Sequence, residues 1–120
     1  MVGDDGPDGK RARRMVVAAG ALAAPDLVDV ETMAVLRKRW VAKTLTARRF
    51  STAVDDLELI ALDRFPTLPH ARRAYELRAT VTAYDAVYVA LAEALGCELL
   101  TGDARLSRGS GPRCPIRVLT

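Results

Sequence analysis

An α/β fold with a small, mostly parallel sheet is predicted by three observations on this 120-residue chain. Segments with apolar residues at helical spacing alternate with short apolar runs of strand length, the order that places helices against a parallel sheet. Half of the residues are hydrophobic and few are aromatic, which allows one modest, mostly aliphatic core. No internal repeat or second domain is visible, so a single domain over 1–120 is expected.

The elements follow in order. MVGDDGPDG opens the chain as a turn-rich stretch. A helix is predicted over 10–19, then a short strand over 21–24. Pro25 and Asp26 begin the next helix, because proline suits a first turn and acids favour the positive end of the helix dipole. That helix reaches about Val41, with Leu27, Val30, Ala34 and Val35 assigned to its apolar face. A third helix, over 46–60, groups Ala53, Val54, Leu57 and Ile60, with Thr46 as N-cap. A strand over 61–65 and a helix from Leu68 to about Ala79 come next. Residues 82–106, TAYDAVYVALAEALGCELLTGDARL, then hold the most informative unit. Its helix covers 83–95, Gly96 stops it, and 98–101 returns as a buried strand. A polar loop over 105–115 and a last strand over 116–119 complete the order.

Charge and composition narrow the classes. The formal net charge is +3, and the excess is nearly all arginine, in Lys10-Arg11-Arg13-Arg14, Arg37-Lys38-Arg39, Arg48-Arg49 and Arg72-Arg73. Such clusters suit a polyanionic partner, although each one alone is equally an ordinary solvated helix face. Cys97 and Cys114 match neither a metal-ligand spacing nor a disulfide framework, and reduced thiols in the cytoplasm are expected. No apolar run approaches the roughly 20 residues that span a bilayer. KRARRMVVAAGALAA imitates a secretory signal, but its apolar run is short and an acidic stretch precedes it.

Two acids bracket the helix-turn-strand unit: Asp85 in the first turn and Asp103 just past the strand. The helix carries the chain roughly 15 Å away and the strand returns it about 13 Å, so both carboxylates finish at one end of the layer. Carboxylates brought close repel unless a cation lies between them. Oxygen ligands with no His or Cys nearby suit Mg²⁺ or Mn²⁺ rather than zinc. The alternative from spacing alone is an N-terminal helix acid and a turn residue with purely local roles. Thr101 is two residues before Asp103 and points the same way along the strand, where its hydroxyl orients a carboxylate or water. Thr82 reads as a helix cap and Arg105 as a surface arginine in a loop, with contact to a phosphate as the lesser alternative.

These residues resemble the C-terminal active-site block of the PIN-domain ribonucleases, in particular the VapC-type toxins. That family carries a T-x-Y-D-A-x-Y-V-A-L-A helix followed by an L-L-T-x-D-x-R-L strand and loop, and both pieces stand here in order. The resemblance implies a three-layer α/β/α fold and a Mg²⁺-dependent endoribonuclease, with Mn²⁺ as an alternative ion. It further implies a cytoplasmic toxin with an RNA substrate, a cognate antitoxin protein and a homodimeric state. Asp85 and Asp103 would ligate the metal. Glu31, in the helix after Pro25, would hold a metal-bound water or a second cation; Asp29 is expected to be solvated or capping.

One family element has no counterpart. The first aspartate should end an N-terminal strand in a pattern like V-V-D-A-S, whereas Asp4, Asp5 and Asp8 stand in a glycine-rich turn. The first strand is therefore expected to be missing and the domain N-terminally incomplete, with weak activity and poor stability for this chain. Two further readings stay open. One is a degenerate domain that binds an antitoxin or protomer without cleaving RNA. The other is a nucleic-acid-binding module whose binding does not depend on Asp85 and Asp103.

Overall fold

The computed structural model describes residues 14–18 and 20–119; the expected turn over 1–9 and the start of the expected helix over 10–19 lie outside them. Five strands form one sheet: β1 (Arg14–Ala18), β2 (Ala21–Pro25), β3 (Leu62–Phe65), β4 (Glu98–Thr101) and β5 (Ile116–Val118), in the order β3-β2-β1-β4-β5. β2 pairs parallel with β3, and β4 with β5, while β1 runs antiparallel to both β2 and β4. Four of the five strands thus share one direction. Among the described residues five helices accompany them: α1 (Leu27–Val41), α2 (Ala47–Asp56), α3 (Ala71–Glu76), α4 (Ala83–Leu95) and α5 (Ala104–Arg108). Together they make the three-layer α/β/α arrangement.

β1 corrects the sequence reading: residues 14–18 form a strand where a helix is expected, and that strand, antiparallel to both neighbours, stands at the centre of the sheet. Two residues join it to β2, the second being Gly20 with φ of 83°, which tightens the reversal. The physical reason is long-range. Without a partner between them, β2 and β4 would each leave a row of backbone donors and acceptors unpaired. Met15-Val16-Val17 suits a pleated surface, and Val16 buries completely.

The core is built on α4, whose residues from Asp85 to Ala92 are all buried as it packs across β1, β2 and β4. Val16, Ala23, Ala24, Tyr88, Leu91 and Leu99 are among its most enclosed side chains. Thr82 caps the start of α4 by accepting from the Asp85 N–H at 3.2 Å. Gly96 ends it in the left-handed region at φ of 65°, as expected. Thr46 likewise caps α2, accepting from the Arg49 N–H.

Smaller differences have local causes. α2 stops at Asp56 and continues as a 3-10 turn, Leu57–Leu59, and none of its residues is buried. α1 buries Val28 and Leu36, whereas Val30 and Ala34 of the expected apolar face are exposed. A further 3-10 turn, Leu68–His70, precedes α3, which ends at Glu76 rather than near Ala79. The expected loop after Asp103 contains α5, anchored by buried Leu106. Cys97 and Cys114 are both free thiols.

Candidate active site

The carboxyl ends of β2 and β4 and the N-terminus of α4 meet at one edge of the sheet, the edge at which open α/β sheets assemble sites. Each predicted acid reaches it from a different element. Glu31 stands one turn into α1 on the side of buried Val28, Asp85 occupies the first turn of α4, and Asp103 follows β4. Asp85 and Asp103 line a single cavity of about 320 Å³, with Thr80, Val81, Thr82, Arg105 and Leu106. The predicted convergence of these two carboxylates is thus present in the structure.

Glu31 joins them through a residue that the sequence does not single out. Arg14 donates through one terminal nitrogen to Asp85 and through the other to Glu31. Its guanidinium also lies 4.5 Å from the centre of the Tyr88 ring. Antiparallel pairing puts Arg14, the first residue of β1, opposite Thr101, the last of β4. Reversal of the central strand therefore delivers an N-terminal arginine to the carboxyl edge. Only 1% of its side chain is exposed, against 16% for Glu31 and 11% for Asp85. An arginine buried this deeply requires such partners.

Tyr88 completes the group. Three residues beyond Asp85, it shares that helix face, and its hydroxyl donates to Glu31 at 2.9 Å. Burial, reinforced by the Glu31 charge, pushes its phenol far above the ordinary range, so it remains a donor. The signal available in sequence was the i,i+3 spacing from Asp85.

Asp103 is held separately. It caps α5, accepting from the Arg105 N–H at 2.9 Å, while the Arg105 guanidinium grips both carboxylate oxygens at 3.1 and 3.0 Å. That hydrogen bond raises the Arg105 pKa further, and the guanidinium remains largely exposed. Thr101, fully buried, accepts from the Asp103 backbone N–H at 3.1 Å, so its hydroxyl fixes the backbone that carries the acid. Asp29, expected to be solvated or capping, instead pairs with Arg64 of β3 at 2.7 and 3.0 Å. That contact braces α1 against the sheet.

The acids do not fit a shared metal ion as they stand. Among the described residues no three His, Cys, Asp or Glu side chains are grouped to hold one. Oxygens of Glu31 and Asp85 face Arg14, and both oxygens of Asp103 face Arg105. The cation between the expected ligands Glu31 and Asp85 is a guanidinium.

A family model described as the PIN domain matches residues 1–111 of the chain. The chain belongs to the PIN domain family. It is similar to a VapC ribonuclease of Mycobacterium bovis and to ribonuclease VapC9 of Mycobacterium tuberculosis. Each is 42% identical over 106 residues, covering 88% of this chain and 84% of the relative. Ribonuclease VapC1 of Mycobacterium tuberculosis is 38% identical over 97 residues, covering 80% and 73%.

Proposed function

We propose that this chain is a ribonuclease toxin of a type II toxin-antitoxin pair, hydrolysing RNA phosphodiester bonds at the edge where Glu31, Asp85 and Asp103 stand. The observation that carries this reading is the convergence of Asp85 and Asp103 on one cavity in a chain 42% identical to VapC ribonucleases. The open cavity and the exposed Arg105 beside it suit a strand of RNA held by its phosphates, without reading of bases. Mg²⁺, or Mn²⁺ in its place, is the proposed ion, and such an ion supplies charge compensation and an activated water when bound. Glu31, Asp85 and Asp103 are the oxygen donors available to it once their arginine partners yield.

The chain's own contributions are positional. Thr82 and Thr101 set the two backbones from which Asp85 and Asp103 project, and Tyr88 holds Glu31. A cognate antitoxin, a homodimeric state and a cytoplasmic location complete the reading. No helix among the described residues is long and apolar enough to cross a membrane.

Cleavage of total RNA by the purified chain, with Mg²⁺ or EDTA and with Asp85→Asn alongside, tests the proposal. Cleavage that requires both the metal and Asp85 is expected. A second reading, a PIN domain that binds an antitoxin or protomer without cleaving RNA, is favoured by the guanidinium between Glu31 and Asp85. Folded protein that leaves RNA intact at high Mg²⁺ decides for that reading.

A further inference from the structure

The acidic cavity has an apolar neighbour. A second cavity, of about 540 Å³, lies between α3 and α4 and takes Val81 and Thr82 into its lining, as the cavity of Asp85 and Asp103 does. The two therefore adjoin at the residues that lead into α4. Ala74, Val81 and Val87 make the second cavity apolar, and Leu68, 82% exposed, carries that character to the surface. Its size falls within the roughly 300–1,000 Å³ typical of sites for small groups.

One wall of this cleft is aromatic and positively charged. Tyr75, 53% exposed, has the Arg78 guanidinium 4.0 Å and the Arg72 guanidinium 5.4 Å from its ring centre. Arg78 also donates to the Tyr75 carbonyl at 3.0 Å, which holds it beside the ring. Among the described residues neither guanidinium has a carboxylate within ion-pair distance, and the nearby acid Glu76 pairs with Arg73 instead. An apolar partner helix has no use for two such cations, and a simple anion has no use for the apolar cleft. Single-stranded RNA presents both phosphates and unstacked bases, the combination that arginines beside an exposed ring recognise.

We propose that the cleft of Tyr75 and Arg78 is a base-binding subsite for a nucleotide flanking the scissile phosphate of single-stranded RNA. The base enters between α3 and α4 against Tyr75, Arg78 meets the neighbouring phosphate, and the strand continues past Thr82 to the acidic cavity. The proposal rests on the ribonuclease reading and adds to it a preference for unpaired RNA.

Binding of a fluorescent single-stranded RNA oligomer to the full chain in EDTA, read by anisotropy, tests this, with a duplex of the same sequence alongside. Cleavage in Mg²⁺, sedimentation and circular dichroism are recorded for each protein. Tyr75→Ala is expected to bind the single strand about tenfold more weakly, the loss of one stacked base, while Tyr75→Phe keeps the ring and the affinity. Arg78→Gln should bind more weakly, with a shallower fall in affinity as salt rises, because one phosphate contact is gone. Duplex binding should be indifferent to Tyr75, since its bases are already stacked. Unchanged single-strand affinity in folded Tyr75→Ala overturns the subsite, and continued cleavage by wild type then leaves the ribonuclease reading standing. An equal loss on duplex RNA also overturns it. Dissociation of a wild-type dimer by Tyr75→Ala, with RNA affinity unaltered, gives the cleft to a second copy of the chain. Folded wild type that neither binds nor cleaves RNA removes the ribonuclease reading and the subsite with it. Should Tyr75→Ala fail to fold, Arg78→Gln decides, and wild-type affinity and salt dependence in that variant overturn the proposal.

Discussion

At the scale of single residues, the site divides into acids placed by local structure and a cation placed by distant structure. Asp85 and Asp103 were legible because each sits within a few residues of a helix cap or strand end that the sequence itself announces. Arg14 was not, since it stands among several arginines near the start of the chain and only pairing with β4 brings it to Asp85. Tyr88 is not singled out in the sequence, and in the structure it is both a buried core residue and a hydroxyl donor to Glu31. Tyr88→Phe keeps the packing and removes the donor to Glu31, so a loss of about 1 kcal/mol is expected in denaturant unfolding. Asp85→Asn weakens one half of the Arg14 pairing. Because the partner stays buried, a loss of about 3 kcal/mol is the upper expectation, measured in the same way.

Elements show where local rules suffice. α4 begins and ends where its cap and glycine dictate, and Thr82→Ala should cost about 1 kcal/mol while leaving the fold intact. The same helix is clasped at its far end, where Glu93 takes Arg73 of α3 at 2.7 and 3.0 Å and the Arg113 backbone N–H at 2.6 Å. Burial works against the charged carboxylate, but these donors hold the Glu93 pKa below its ordinary value. The unfolded chain then binds the proton more readily than the folded one. The resulting stability is present above the ordinary Glu pKa of about 4.3 and is lost as pH falls through the lower folded value. Glu93→Gln should therefore flatten the acid limb of the melting temperature against pH, recorded from neutral pH to about pH 3. α1 shows the limit of periodicity: its expected face included Val30, which is 63% exposed, while Val28 and Leu36 are inside. Sparse apolar positions left two faces nearly equivalent, and docking on β2 chose between them.

For the molecule as a whole, the sheet is the deciding unit. β1 sits between β2 and β4, so the two parallel pairs join into one sheet only through it. Leu99, fully buried in β4 beside β1, should cost about 2–5 kcal/mol when cut to alanine, seen as a lowered unfolding midpoint. The same topology places a strand start, two strand ends and a helix start at one edge, which gathers Arg14, Glu31, Asp85 and Asp103 from across the chain.

By itself, the sequence determined the α/β class, the α4-turn-β4 unit with its caps, and the two acids that unit carries. All of these rest on contacts between residues close in the chain, where spacing and turn chemistry suffice. The tertiary structure alone decided that residues 14–18 are a strand, that the strand runs against its neighbours, and that a guanidinium lies between Glu31 and Asp85. Those outcomes depend on satisfying the backbone of strands far apart in sequence, an energy that no local pattern reports.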